Sequence, residues 1–272
     1  MTYANPPGGL PPQSALMTGR AVFTEAYALL PAGTLRDITA SVFPGWNNAR
    51  GWVLARPMTG FAETFSQIAM ELGPGGGSDA PEPEGGAENA IFVTDGSVEI
   101  LLDRQRHVLG DGGFAYLPPR SPWSIHADEQ GASFQMIRKM YQPADGLEAP
   151  SPIFVNEADI SLTPMPDTDG GWATTRFMDP ADLSHDMHMT IVTLQPGYVI
   201  PFEETHVMEH GLYVLQGKGV YKLNRDWVEV EACDFMWLRA FCPQACYAGG
   251  PEPFRYLLYK DVNRMPSLSV GG

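Results

Sequence analysis

Short apolar runs alternate with polar turns along most of this chain. Such runs occupy residues 62–72, 90–93, 97–102, 113–117, 132–141 and 187–194. Turns such as Pro44-Gly45 and Pro196-Gly197 separate them, and the chain holds 29 glycines and 25 prolines. Short apolar runs bounded by turn residues are typical of β-strands. The pattern predicts an all-β protein, although the run at 62–72 also fits a short helix, and residues 73–86 are predicted to form a loop.

The chain also repeats itself at a nearly constant offset. Residues 92–96 match residues 213–217 at an offset of 121, and residues 72–75 match residues 194–197 at an offset of 122. Self-similarity over such a distance indicates a duplicated unit, and the change of offset indicates one residue of length difference in the loop between the two matches. The sequence therefore predicts two copies of one β domain.

A segment rich in proline and small residues, 142–152, lies between the two copies. Residues 1–20 are also rich in proline, glycine and small side chains, which is typical of a loosely held arm. We therefore predict an N-terminal arm over residues 1–20, a first β domain over 21–145 and a second over 146–272.

Charge and cysteine content narrow the class of protein. The formal net charge of -15 argues against nucleic acids and anionic membrane surfaces as partners. The N-terminal residues lack the basic and apolar regions of a signal peptide, and no apolar stretch is long enough to span a membrane. Cys233, Cys242 and Cys246 lack the spacing of a metal site and are expected to be reduced thiols. We expect a cytoplasmic protein.

Residues 204–217 contain the clearest chemical motif, a glutamate and two histidines in the order Glu204-x-His206-x3-His210, with Gly217 six residues further on. In a strand, residues two apart point to the same face, so Glu204 and His206 can converge, and a turn can return His210 to them. A zincin helix would place glutamate directly after the first histidine, where Val207 stands. One oxygen and two nitrogen donors in a β framework predict a divalent metal site.

The region from Gly197 to Gln244 resembles the two motifs of the cupin family. The acidic residue precedes the histidines instead of following them, and Gln244 occupies the position of the histidine in the second motif. The resemblance implies an all-β bicupin, built from two tandem double-stranded β-helix (jelly-roll) barrels. It also makes the Gln244 amide oxygen the fourth metal ligand. Three hard or borderline donor types fit Mn²⁺ better than a metal that prefers thiolates, while zinc suits a tetrahedral version.

A metal set of Glu204, His206, His210 and Gln244 in the second cupin resembles the (S)-ureidoglycine aminohydrolases, a bicupin family of purine (allantoin) catabolism. The resemblance extends to Phe43-Pro44-Gly45-Trp46 and to residues 256–260. It implies Mn²⁺ as cofactor, and a substrate that loses ammonia to give ureidoglycolate. It also implies that Glu204, Gln244, Tyr256 and Lys260 contact the substrate.

Lys260 is the candidate proton-transfer residue, with Glu204 as a second one. Tyr256 and Lys260 lie on one strand face with Leu258, so both point into the barrel if Leu258 does. Burial and a nearby cation lower the pKa of a lysine toward the range of a proton shuttle. Tyr256, and Tyr221 less directly, are candidate donors to a substrate oxygen; core packing and, for Lys260, a surface position are the alternatives.

The first copy lacks the ligands of the second. Counting back 121 residues places Pro83, Gly85, Asn89 and Trp123 opposite the four ligands, and Lys139 opposite Lys260. We therefore predict a structural first cupin in which Trp123 fills the place of the metal.

Three alternatives remain open at the level of sequence. A bicupin decarboxylase or dioxygenase commonly uses three histidines with one glutamate, which Gln244 argues against. A metal-free binding or storage bicupin would bind no metal. A DNA-binding regulator is disfavoured by the charge. We also expect a homo-oligomer, because edge strands of cupin barrels often pair between subunits.

Overall fold

The computed structural model describes residues 19–36, 39–58, 60–261 and 264. Most of the predicted N-terminal arm, residues 1–18, lies outside the described residues. The described part of the chain contains β-strands and short 3-10 turns but no α-helix, which confirms the all-β prediction. Within it, no helix is long and apolar enough to cross a membrane.

Nineteen strands follow one another along the described residues. In chain order they are β1 Val22–Phe23, β2 Tyr27–Leu30, β3 Asn47–Ala55, β4 Ser66–Ser78, β5 Ala87–Leu102, β6 Gln105–Leu109, β7 Gly113–Leu117, β8 Trp123–Met140, β9 Ile153–Asn156, β10 Thr163–Pro164, β11 Trp172–Arg176, β12 Met187–Leu194, β13 Val199–Glu204, β14 His210–Gln216, β15 Lys218–Leu223, β16 Asp226–Glu231, β17 Phe235–Leu238, β18 Gln244–Ala248 and β19 Phe254–Asp261.

The first jelly-roll barrel is formed by one strongly bent antiparallel sheet. Its strands run in the order β3-β4-β8-β5-β7-β9, with β6 paired to β5. The long strands β4, β5 and β8 contain register shifts, and one of them lies between Leu72 and Gly77. Such bulges bend a strand, and this one carries β4 through residues that the sequence analysis predicted to be a loop. The prediction of a loop at 73–78 was therefore wrong. The prediction of a strand or helix at 62–65 was also wrong, because β4 begins only at Ser66.

The second barrel is divided into two sheets. An eight-stranded sheet runs β1-β2-β17-β14-β19-β12-β11-β10, and a four-stranded sheet runs β13-β18-β15-β16. Strand β12 has the bounds that the apolar run predicted. With the first barrel, this architecture is the predicted bicupin.

The two barrels exchange strands. Strand β2, which precedes the first barrel, pairs with β17 of the second barrel, and β9, which precedes the second barrel, pairs with β7 of the first. The hydrogen-bonded sheets therefore cross the boundary that the sequence predicts at residue 145, and the division into 21–145 and 146–272 stays a prediction.

Three hydrophobic cores accompany this arrangement. One fills the first barrel, a second fills the second barrel, and the third lies between the large sheets of the two barrels. In the third core, Gly211 of β14 lies so close to the first barrel that a Cβ atom there would be 2.8 Å from the Phe65 ring. Only glycine permits this approach without displacing that ring. The first barrel thus packs directly behind residue 210 of the predicted metal motif.

The cysteines fit their predicted state. All three are free thiols; Cys242 and Cys246 are buried in the second barrel, and Cys233 is exposed.

Candidate active site

A cavity of about 250 Å³ opens into the second barrel and gathers most of the predicted site residues. Of the seven predicted residues, six line it; they are Glu204, His206, His210, Gln244, Tyr256 and Lys260. A larger crevice of about 510 Å³ lies between the barrels, but its lining contains no histidine, and its Arg255 is already paired with Glu157. The chemistry of the side chains therefore points to the smaller cavity.

Glu204 and His206 meet at the mouth of the barrel. Glu204 ends β13 and lies opposite Gln244 of β18 in the strand register. The His206 Nε2 atom lies 3.2 Å from a carboxylate oxygen of Glu204. His206 follows the strand instead of belonging to it, and its carbonyl accepts a hydrogen bond from the Phe241 backbone N–H. The neighbouring Glu203 lies on the opposite face of β13 and pairs with Lys222 at the surface.

His210 begins β14 and is buried beside His206. Its Nδ1–H donates to the Met208 carbonyl at 3.0 Å, which leaves the Nε2 lone pair available. Burial, and next the neighbouring His206, lower the pKa of His210 to about 3. A neutral imidazole is the form that binds a metal. The two imidazole rings are 5.1 Å apart.

The four donors fit a divalent cation by their chemistry. They supply one carboxylate, two imidazoles and one amide oxygen, a set that suits first-row metals with hard or borderline preferences. Among the described residues, no three His, Cys, Asp or Glu side chains already stand in metal-binding arrangement. The fit therefore rests on the donor types around one cavity, and the metal set stays a prediction.

Lys260 faces the cavity from β19, directly between His210 of β14 and His188 of β12 in the strand register. Burial lowers its pKa first, and the Arg176 guanidinium lowers it further, while Glu204 acts in the opposite direction. The neutral amine is therefore more populated near neutral pH than in an exposed lysine.

The two tyrosines differ in position. Tyr256 is buried and lines the cavity, whereas Tyr221 is not among the lining residues. The Tyr221 ring packs edge-on against Phe254 and Tyr256 in the core of the second barrel. Its side chain lies on the inner face of the four-stranded sheet, where apolar neighbours cover it. The structure therefore does not place Tyr221 at the cavity, although it was a candidate donor to a substrate oxygen.

Arg176 and His188 also line the cavity, although no motif in the sequence indicates them. His188 is held neutral, because burial and then the Lys260 ammonium lower its pKa to about 4. Its Nε2 atom is buried and has no hydrogen-bond partner among the described residues. His188 lies on β12, which pairs with β19, and Arg176 lies one strand further on, on β11.

Glu209 is not one of the predicted ligands, but it lies between His206 and His210 and connects this segment to the first barrel by hydrogen bonds. Its carboxylate is buried and accepts four hydrogen bonds: from the Glu63 N–H at 2.9 Å, the Thr64 N–H at 3.0 Å, the Thr64 hydroxyl at 2.6 Å and the Trp237 indole at 2.7 Å. Its own N–H donates to Asp261. Glu209, which lies between His206 and His210, is therefore held by hydrogen bonds at both its side chain and its backbone.

We expect Glu209→Gln to weaken metal binding about 10-fold, because residues behind the ligands typically contribute that much by fixing ligand orientation. A glutamine turns an NH₂ group toward N–H donors and loses at least one of the four bonds. The dissociation constant for Mn²⁺, measured by titration, tests this. Glu203→Gln is the matched control, since Glu203 is exposed on the opposite face of β13. An unchanged Mn²⁺ affinity in Glu209→Gln would contradict the expectation.

The register of the strands corrects the predicted alignment of the two barrels. Arg138 pairs with Ser66 and Asn89, as Lys260 pairs with His188 and His210. Arg138, not Lys139, is therefore the counterpart of Lys260. One additional residue in the connection before β19 shifts the offset to 122, and a one-residue slip moves a side chain to the other face. Lys139 indeed lies between the barrels, paired with Asp186.

The same offset of 122 holds at the start of the motif, because Val199 and Gly77 occupy equivalent register positions. Counted on from Ser78, the last residue of this ladder, the same offset gives Glu82, not Pro83, as the residue opposite Glu204. Glu82 accepts two hydrogen bonds from the Arg138 guanidinium, at 2.6 and 2.5 Å. In the first barrel this ion pair occupies the counterpart of the Glu204 and Lys260 positions, and Trp123, opposite Gln244, is buried in the core.

Comparison with known proteins finds relatives that cover most of this chain. The cupin domain family matches residues 190–259. The probable (S)-ureidoglycine aminohydrolase of Oryza sativa subsp. japonica is 33% identical over 92% of this chain and 77% of its own length. The (S)-ureidoglycine aminohydrolase of Escherichia coli (strain K12) is 30% identical over 92% of this chain and 94% of its own. The crystal structure of a putative glyoxylate-induced protein from Pseudomonas aeruginosa is 57% identical, with a TM-score of 0.88, and covers 94% of this chain and 96% of that one.

Proposed function

This chain belongs to the (S)-ureidoglycine aminohydrolase family of bicupins, and on that premise we propose that it hydrolyses (S)-ureidoglycine to (S)-ureidoglycolate and ammonia in purine (allantoin) catabolism. The enzyme is thus a hydrolase that acts on a non-peptide C–N bond. The observation that carries the proposal is the cavity of the second barrel, where Glu204, His206, His210 and Gln244 lie with Tyr256 and Lys260.

We propose Mn²⁺ as the cofactor, held by Glu204, His206, His210 and Gln244. A bound divalent ion supplies a positive charge that holds and polarises the oxygens of a small acid. The neutral state of His210 and the carboxylate of Glu204 support a divalent metal at these four residues.

The reaction replaces a C–N bond by a C–O bond, so water must lose a proton and the departing amine must gain one. Lys260 is placed to move that proton, because its amine lies in the cavity and its pKa is lowered by burial. Glu204 is the second candidate. Tyr256, whose burial raises its pKa well above the usual value, stays protonated and can donate a hydrogen bond to a substrate oxygen. Attack on one face of a fixed substrate preserves chirality.

We expect freshly generated (S)-ureidoglycine to release ammonia with this protein at a rate that depends on Mn²⁺. Removing the metal with a chelator is expected to stop the enzymatic release, and adding Mn²⁺ is expected to restore it. Ammonia measured over the spontaneous background tests the proposal. Release that is no faster than background with the metal-loaded protein would refute it.

Two other functions make different predictions. A bicupin decarboxylase or dioxygenase would release carbon dioxide or consume oxygen from a small carboxylic acid. A metal-free binding bicupin would contain no stoichiometric metal after purification, which elemental analysis detects. The cytoplasmic location and the homo-oligomeric state remain predictions; size-exclusion chromatography with light scattering tests the latter.

A further inference from the structure

Arg176 lies in the wall of the active-site cavity, at the end of β11, and its side chain is exposed at the opening. Its Nε–H donates to the Thr174 hydroxyl at 3.1 Å. This bond orients the guanidinium plane and leaves both terminal NH₂ groups available. Within residues 19–36, 39–58, 60–261 and 264, no carboxylate lies within ion-pair distance of Arg176, unlike Arg138 or Arg255.

The charge of the cavity also distinguishes it from the rest of the protein. Its lining has two cationic side chains, Arg176 and Lys260, and one carboxylate, Glu204. The cavity wall therefore has more basic than acidic side chains, in a chain whose formal net charge is -15. A concave site with two basic side chains and one acidic side chain favours an anionic ligand.

We propose that Arg176 binds the carboxylate of the substrate, with its two terminal NH₂ groups donating to the two carboxylate oxygens. The guanidinium fork matches a carboxylate in this bidentate geometry, whereas the Lys260 ammonium is a point charge better suited to move a proton. An ionised carboxylate offers about four lone-pair positions, so contact with Arg176 leaves others free for the metal.

This inference rests on the proposed function and adds a residue that selects for acids. The carboxylate held at the opening by Arg176 would direct the carbon that bears the amine inward, toward Lys260. An uncharged analogue of the same shape should then lose most of its affinity.

The test compares two stable ligands that lack the leaving amine, N-carbamoylglycine and its neutral amide, N-carbamoylglycinamide. Their dissociation constants are measured by calorimetry on the Mn²⁺-loaded protein and on the metal-depleted protein. We expect wild type to prefer the acid. Arg176→Met is expected to weaken binding of the acid about 10-fold, which corresponds to about 1.4 kcal/mol, and to leave binding of the amide unchanged.

Arg225→Met is the matched control, because Arg225 is exposed in the turn between β15 and β16 and its loss changes the net charge equally. Arg176→Lys is expected to recover only part of the acid preference, since lysine lacks the fork. The melting temperature and Mn²⁺ content of each variant establish that the fold is retained.

An acid preference that is unchanged in Arg176→Met, equally lost in Arg225→Met, or absent from wild type would overturn the proposal. The result is independent of turnover, because neither ligand can release ammonia by the proposed reaction. A protein that keeps an Arg176-dependent acid preference but releases no ammonia from ureidoglycine would refute the proposed function alone. A protein that releases ammonia without that preference would refute the role of Arg176 alone.

Discussion

Replacing His210 with alanine is expected to remove stoichiometric Mn²⁺ binding and to lower turnover roughly 1,000-fold or more. His210 is buried, its Nδ1–H is fixed by the Met208 carbonyl, and burial keeps the ring neutral. The Nε2 lone pair is therefore available for a metal, and no other side chain at that register position can replace it. A bound metal is worth several kcal/mol of charge stabilisation, and about 4 kcal/mol corresponds to that factor. Elemental analysis and ammonia release measure the two effects.

The loss of a buried ring also costs stability, so a second variant is needed. His206 is only half-buried, and His206→Ala is expected to lose metal and turnover with little change in melting temperature. His126→Ala is the matched control, because His126 is a partly exposed histidine of the first barrel that contacts Asp79. Full metal content in both His206→Ala and His210→Ala would show that the predicted ligand set is incorrect.

Lys260→Met is expected to keep its metal and to lower turnover by on the order of 100-fold or more, the usual contribution of a proton-transfer group. The methionine fills a similar volume between His188 and His210 but cannot exchange a proton. Because the pKa of Lys260 is lowered, its neutral form becomes available as pH rises through that pKa. The wild-type rate should therefore rise with pH over that range, and the variant should lack this rise.

Two further variants separate proton transfer from charge. Lys260→Arg keeps the positive charge but does not deprotonate in the working range, so it is expected to be nearly as slow as Lys260→Met. Lys222→Met, which removes a surface lysine paired with Glu203, is expected to behave as wild type. Turnover in Lys260→Met that equals wild type would remove Lys260 from the mechanism, and recovery in Lys260→Arg would assign it an electrostatic role.

Much of the candidate site could be predicted because it depends on local spacing. Glu204, His206 and His210 lie within seven residues, and the resemblance to the second cupin motif added Gln244, which the strand register places opposite Glu204. Alternation along a strand put Tyr256 and Lys260 on one face, and both do line the cavity. Tyr221, the less direct candidate, packs in the core of the second barrel and is not among the residues that line the cavity.

The counterpart of Lys260 in the first barrel shows where counting along the chain fails. A fixed offset of 121 predicts Lys139 as the counterpart of Lys260. The hydrogen-bonded strand register shows that the counterpart is Arg138, which is paired with Glu82. One residue in a connecting loop leaves almost no trace in a sequence, yet it exchanges the inner and outer faces of the following strand. Hydrogen-bond register, unlike sequence offset, is insensitive to loop length.

The sequence by itself determined the all-β duplicated plan and the candidate metal ligands, because strand alternation and turn chemistry act over a few neighbouring residues. Only the tertiary structure decided that β2 and β9 pair with strands of the other barrel. It also decided that Glu63 and Thr64 donate hydrogen bonds to Glu209, and that Arg176 lies in the wall of the cavity. These contacts join residues that are tens to more than a hundred positions apart. They are selected by the packing of whole sheets against one another, which no local pattern encodes.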